Sequence, residues 1–291
     1  MTEITSTSNN GFWSQFWRIG RAKIGLILVM IILIPTVFAP VFTSIDPLKQ
    51  FRDGLAPNGV PLAPNETYIM GTDHLGRDMF SRLLYGGRVS LLVSFTANIT
   101  AAIVGTFIGL LAGYYTGILD SILMRVTDVM LAFPAILLAL GLGSVLRPSV
   151  QTVIIILSVV TWPTLARLVR GQTLIVRDRA FVESARASGA TDRYIILHHI
   201  LPHTITVTVV WASLSLASAV LIESSLSYLG VGVPLPSASW GNMIAEGQSR
   251  YRIAPWTILE PTVAILITTL GFNLLGDAVR DALDPHTSRR L

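Results

Sequence analysis

Cysteine is absent from the 291-residue chain, which excludes disulfides, thiol nucleophiles, Cys-ligated zinc and iron–sulfur clusters. Charge is almost as scarce: Asp, Glu, Lys and Arg make up 13% of the residues, about half the ~25% of an ordinary soluble domain. The 21 bases and 17 acids give a formal net charge of +4, and they are dispersed. No basic stripe with interleaved aromatics is present, so nucleic acid is not an expected partner. A GxxxxGK[ST] phosphate loop is also missing, so no nucleotide cofactor is expected on this chain. What fills the sequence is apolar: 52% of residues are hydrophobic and the mean hydropathy is +0.63. A membrane protein is expected rather than a soluble globule.

Apolar runs with almost no charge recur at 24–45, 89–119, 129–146, 148–166, 204–222 and 261–276. About 20 helical residues cross a ~30 Å hydrocarbon core, which predicts six transmembrane helices and an all-α, polytopic fold. Trp162, Trp211, Trp240 and Trp256 fall at or near run ends, where amphipathic rings favour the headgroup region. With both termini cytoplasmic, 13 of the 21 bases lie inside and eight outside, the bias the positive-inside rule favours. The first run is too long for a signal peptide core and is expected to remain as a span. Ahead of it, Phe12, Trp13, Phe16 and Trp17 share one helical face, which suits a short interfacial helix after a disordered tail at 1–10.

The stretch 44–88 is rich in proline and glycine and reads as an extracytoplasmic loop built of turns rather than a packed unit. Its Asp73, His74 and Asp78 offer metal-ligand atoms, although turn formation is the favoured reading. Gly105, Gly109, Gly113 and Gly117 recur every four residues, a stripe that lets a neighbouring helix approach closely. Asp128 follows Arg125 by one turn and is expected to pair with it. Pro134 and Pro163 predict interruptions in the third and fourth spans. Glu223 and Glu260 are expected toward the outer ends of the last two spans, paired with Arg250 or Arg252 or facing solute. His198, His199 and His203 lack an H-E-x-x-H arrangement, and no metal site is expected there.

Residues 167–203 are too polar to insert and too long for a tight turn. Asp178 is a candidate cap for a helix through Phe181, Val182, Ala185 and Arg186, Gly189 a left-handed stop, and Thr191 a cap for a second helix ending before Pro202. The result is a protruding cytoplasmic helix-turn-helix that leaves Phe181 and Val182 open to a docking protein.

These residues carry a resemblance. Glu183, Ser184 and Ala185, then Gly189, His199, Leu201 and Pro202 resemble the coupling motif of bacterial ABC import permeases, Glu-Ala-Ala, three residues, Gly, nine residues, Ile, one residue, Leu-Pro. Ser184 replaces an Ala and His199 the Ile. The segments MGTDHLGRDMFSRLLYGGRVSL (70–91), FPAILLAL (133–140), ESSLSYLGVGV (223–233), SWGNM (239–243) and NLLGDAVRDALDP (273–285) are similar to the dipeptide/oligopeptide/nickel permease family. The long first loop and the GTDxxGRD element resemble its C-type member.

That resemblance implies the transmembrane domain of a type I ABC importer in the bacterial plasma (inner) membrane. It also implies a homologous B-type permease, two cytoplasmic ATPase subunits that bind ATP and magnesium, and an extracytoplasmic solute-binding protein. The expected division is a cytoplasmic tail and interfacial helix at 1–23, first span and loop at 24–88, transport core at 89–280 with its coupling segment at 167–203, and a cytoplasmic tail at 281–291. Residues 180–190 would seat on an ATPase subunit, with Glu183 and Arg186 making polar contacts, Phe181 and Val182 burying apolar area, Ser184 and Ala185 completing the helix, and Gly189 and Ala190 turning the chain. A self-contained secondary transporter and an intramembrane enzyme are the competing classes. The solute stays open among dipeptides, oligopeptides, glutathione and nickel complexes.

Overall fold

A computed structural model describes residues 12–283; the expected tail at 1–10 and the bases Arg289 and Arg290 lie outside them. The described residues form helices joined by loops, with only isolated β-bridges. In chain order these are α1 (Phe12–Arg18), α2 (Gly20–Val37), α3 (Ala39–Phe42), α4 (Met79–Tyr115), α5 (Gly117–Ala132), α6 (Ala135–Val145), α7 (Val150–Arg177), α8 (Ala180–Ala187), α9 (Asp192–Ile195), α10 (Leu201–Tyr228), α11 (Trp240–Gly247) and α12 (Trp256–Leu283). Five helical runs are long and apolar enough to cross a membrane, and six crossings result when α5 and α6 count as one.

Several helices begin where a side chain satisfies their free N–H groups. Asp78 accepts from the Ser81 N–H at 2.8 Å before α4, Ser149 from Thr152 at 3.0 Å before α7, and Ser239 from Asn242 at 3.2 Å before α11. The 37 residues of α4 extend about 55 Å at 1.5 Å per residue, well beyond one hydrocarbon core. This helix is the spine, packed most extensively on α7. The contact follows the glycine stripe: a Cβ at Gly105 or Gly109 would lie 2.8 Å from the Trp162 carbonyl or 2.6 Å from that of Ala166, and one at Gly113 2.6 Å from Thr173 Cβ. Gly117 does not belong to the stripe. It starts α5 at φ 65°, with open space around it, because the chain turns there.

On the other side of α4, α10 is held by polar groups placed inside the membrane. The Asn98 amide donates to the Ala212 carbonyl at 2.7 Å and accepts from the Ser215 hydroxyl at 2.7 Å, and Thr106 and Thr208 hydroxyls meet at 2.9 Å. Such interhelical bonds contribute about 0.6 kcal/mol each and, more usefully, fix the register of two apolar rods. α12 closes the bundle against α2 and α10, and α1 lies on α12 with Phe16 buried beside Ala278 and Ala282.

The interruption expected at Pro134 is present: α5 and α6 are bent by 94° around Phe133 and Pro134. Two other expectations change. Pro163, by contrast, sits inside the continuous α7. Asp128 pairs with Arg167 of α7 rather than with Arg125, because its side chain faces the neighbouring helix. Three of the four tryptophans also pack against protein: Trp240 is buried with its indole donating to the Leu83 carbonyl at 3.1 Å, Trp162 is buried within α7, and Trp256 donates to the Thr72 carbonyl at 3.0 Å.

Candidate functional site

Two ends of the bundle gather the chemistry. At the loop end, residues 44–78 are built of turns yet fold into a packed cap, so the expectation of turns without packing is corrected. Antiparallel bridges join Gln50 to Arg77, Leu55 to Pro61 and Thr72 to Asp78, and Tyr68 is buried edge-on to Phe51. Asp73 accepts from the backbone N–H groups of Leu75 and Arg77 at 2.8 and 2.9 Å, which makes the tight turn.

Beneath that turn lies a buried ionic cluster that the sequence did not reveal. Arg77 Nε bonds Asp73 Oδ2 at 2.5 Å, and Arg77 Nη2 and Arg82 Nη2 both reach Glu246 Oε2, at 2.9 and 2.5 Å. Arg82 Nε also lies 3.3 Å from Asp73 Oδ2. Two cations and two carboxylates cancel, which offsets the cost of holding four charges largely out of water. The ties run from the cap through α4 to α11, a short helix between α10 and α12. A visible trace of the cluster was Arg82 within an apolar helix; its partner Glu246, 164 residues away, had no local signal.

Asp73, His74 and Glu246 lie close enough for a shared cation, but both carboxylates are already taken by guanidinium groups. Asp78 serves as the α4 cap instead. Burial pushes the His74 imidazole below the usual histidine range, against the opposing pull of Asp73 and Glu246. Glu223 is fully buried and accepts from Ser227 at 2.9 Å, while Arg250 donates to the Gly59 carbonyl and Arg252 to the Tyr251 hydroxyl. The expected pairing of Glu223 with those arginines is therefore absent.

At the hairpin end, α7 runs into α8 through Asp178, and α8 turns into α9. Asp178 terminates α7; the residue at the α8 N-cap is Arg179, which makes no side-chain cap, so the expected Asp178 cap is corrected. Gly189 has φ 82°, with its N–H on the Arg186 carbonyl at 3.0 Å and the Ala190 N–H on that of Ala185 at 3.1 Å. This paired pattern is a Schellman stop, and it requires the left-handed conformation. Thr191 caps α9 through the Tyr194 N–H at 3.4 Å, as expected.

The hairpin is rooted rather than dangling. Val182, Ile195 and Ile200 are fully buried with Val176 and Tyr114, the Tyr114 hydroxyl donates to Asp192 at 2.7 Å, and the Arg186 guanidinium lies 6.0 Å from the Tyr114 ring. Val182 is thus internal glue, contrary to the expectation that it faces a partner. Phe181 keeps 38% exposure beside His199 and His203, with ring centroids 6.1 and 5.4 Å away. Glu183, Ser184, Arg186 and Gly189 are exposed, and Ala185 and Ala190 half-buried. Glu183 makes no ion pair among the described residues.

From α9 the chain continues through a π-helical turn, Ile196–Ile200, into α10. The Leu201 N–H reaches back to the Ile196 carbonyl, and the wider turn accommodates Pro202, which has no N–H to offer. Residues 192–228 therefore behave as one long rod from the hairpin through the bundle.

Comparison with known proteins agrees with this arrangement. Residues 105–289 match the family described as binding-protein-dependent transport system inner membrane component. The chain is 39% identical over 264 residues to a dipeptide transport system permease protein, DppC, of Alkalihalophilus pseudofirmus, covering 91% of this chain and 85% of the relative. It is 42% identical over 274 residues to a glutathione transport system permease protein, GsiD, of Shigella flexneri, covering 94% and 89%. Among solved structures, a chain of the MetNI methionine ABC transporter in an inward-facing conformation aligns with TM-score 0.59 at 21% identity, over 71% of this chain and 98% of that one. That likeness shows the fold. Taken with the multi-pass bundle, these matches establish that the chain belongs to the family of binding-protein-dependent transport system inner membrane components and is a permease subunit.

Proposed function

We propose that the chain forms half of the translocation pathway of an ATP-driven importer for dipeptides, oligopeptides or a related amide-bearing solute such as glutathione. Its partners are a homologous permease, two cytoplasmic ATPase subunits that bind ATP and magnesium, and an extracytoplasmic solute-binding protein. The chain has no enzymatic activity of its own. It sits in the inner membrane with the hairpin and both termini on the cytoplasmic side and the cap outside.

The observation that carries this reading is mechanical. Helix α8 presents Phe181, Glu183, Ser184 and Arg186, yet Val182 and the Tyr114–Asp192 bond fasten it to the bundle. A protein that grips the exposed side and moves must move the rod 192–228 with it. Closure of the ATPase pair would shift α8, tilt α10 and favour the outward-open arrangement; hydrolysis would release it. The relatives' peptide and glutathione names support the solute class.

Charge reversal at the gripped face tests the reading. Glu183→Lys should leave the thermal unfolding of the purified subunit within about 0.5 kcal/mol of wild type, since the side chain is exposed. ATPase co-purification and ATP-dependent uptake of a labelled dipeptide or glutathione should both fall. Wild-type solute-stimulated ATP turnover in that variant would mean that Glu183 is merely a solvated charge.

A further inference from the structure

The chain bends at the extended residue Ile19, so α1 lies over α12 instead of continuing α2. Of the four aromatic side chains on α1, only Phe16 is buried, beside Ala278 and Ala282. Trp13 and Trp17 are held edge-on to it, with ring centroids 6.2 and 5.5 Å away, yet keep 67% and 44% exposure. Indole rings so placed favour the boundary between acyl chains and headgroups.

Under these rings an open groove of about 340 Å³ lies between α2, α10 and α12, lined by Trp13, Trp17, Leu26, Leu216, Phe272 and Val279 among others. Apart from the indole edges its wall is apolar, since the single hydroxyl, of Ser213, already donates to the Val209 carbonyl at 2.7 Å. From Phe272 to Val279 the wall extends about 10 Å along α12 at 1.5 Å per residue. A polar ligand finds little to bond there, whereas a hydrocarbon chain fits.

The mouth of the groove has the opposite character. Lys23 precedes Leu26 by one turn of α2, and Arg280 follows Gly276 by one turn of α12, so both lie just outside the apolar runs 24–45 and 261–276. The Arg21–Asp281 ion pair, at 2.9 Å, shows that these two helix ends are side by side. Arg18 follows Trp17 at the end of α1. Arg18, Lys23 and Arg280 are exposed and form no ion pair among the described residues. With Arg21, Asp277 and Asp281 counted, four cations stand against two carboxylates at this end, a net charge of +2.

We propose that the groove and these bases bind an anionic phospholipid such as phosphatidylglycerol. One acyl chain lies in the groove beneath Trp13 and Trp17, and Arg18, Lys23 and Arg280 hold the phosphate. An apolar slot that ends in unpaired cations is complementary to an amphiphile with a negative head, and less so to a zwitterionic lipid, whose own cation would meet the bases. On the orientation proposed above, the lipid comes from the cytoplasmic leaflet. Leu216 is part of the 192–228 rod, so the acyl chain lies against the same helix that continues from the hairpin.

The full importer, with its companion permease and ATPases, is reconstituted in phosphatidylcholine vesicles holding a trace of phosphatidylglycerol that carries a diazirine on one acyl chain. After irradiation, adducts on peptides of this chain are mapped by mass. They should fall on residues 13–26, 213–216 and 272–279, and exceed those from the matching phosphatidylcholine probe at least about fivefold. Lys23→Gln and Arg280→Gln should each lower phosphatidylglycerol capture about fivefold, as loss of one cation near a headgroup predicts, and leave phosphatidylcholine capture unchanged. Both side chains are exposed, so the thermal unfolding of these variants should match wild type. Arg252→Gln, at the cap, should not alter capture.

Equal capture of the two probes would make the groove an ordinary lipid contact, and capture of neither would place protein over it. Phosphatidylglycerol capture that survives both substitutions would remove the bases from the site. Each result overturns the proposal, as does an equal loss in Arg252→Gln, which would make the effect one of overall charge. Capture requires no transport, and the importer reading keeps its own test.

Discussion

The two ends of the bundle handle charge in opposite ways. At the loop end, Asp73, Arg77 and Arg82 are buried, Glu246 is half-buried, and the four form ion pairs across the cap, α4 and α11. At the hairpin end, Glu183 and Arg186 are exposed, and α8 is held from beneath by Val182 and the Tyr114–Asp192 bond. The first arrangement closes on itself, whereas the second leaves its polar groups for something else. A neutral ionic cluster fixes geometry; an exposed, firmly mounted hairpin is what the proposed function needs to transmit a push. The same chain thus has a clamp at one end and, on that proposal, a handle at the other.

Breaking the clamp should have the largest effect. Arg82→Ala leaves Asp73 and Glu246 sharing one guanidinium in a buried site, and loss of about 3–5 kcal/mol is expected. Thermal unfolding of the detergent-solubilised subunit checks this, and an unchanged midpoint would show that the cluster is hydrated rather than dry. At the handle, Val182→Asp places a carboxylate in a fully buried apolar position and should cost about 2–4 kcal/mol locally. Limited proteolysis should then cut between Arg177 and Arg193 while the cap stays resistant.

Smaller still is Gly189→Val, which forces a β-branched residue to φ 82° at about 1–2 kcal/mol. Membrane insertion should survive while ATPase co-purification and uptake fall; unaffected co-purification would detach the Schellman turn from docking. The mildest difference concerns pH. The folded cap holds His74 below the usual value of 6.5, so the unfolded chain takes up the proton first. Stability should decline as pH drops below about 6.5 and stop declining, for this group, below its folded pKa. His74→Asn should flatten that part of the profile relative to wild type, in paired unfolding curves between neutral and mildly acid pH.

How legible these features are depends on the range of the interaction. The glycine stripe, the Gly189 turn and the Thr191 cap are set by neighbours within a few residues and can be read directly. The apolar runs give the crossings and Pro134 its interruption, but not which proline bends the chain, since Pro163 stays within a continuous helix and the two look alike in sequence. Val182 escapes a sequence reading because an eight-residue amphipathic helix does not announce which side meets Tyr114. For Asp128, a one-turn neighbour competes with Arg167, 39 residues away. The ionic clamp is invisible for the same reason, its members being joined only by the tertiary fold.

The most direct test is solute accumulation in sealed vesicles. With the companion permease, ATPases and binding protein present, uptake of a labelled dipeptide or glutathione should depend on ATP and vanish when the ATPases are omitted. Concentrative uptake by vesicles holding this polypeptide alone, without nucleotide, would contradict the account.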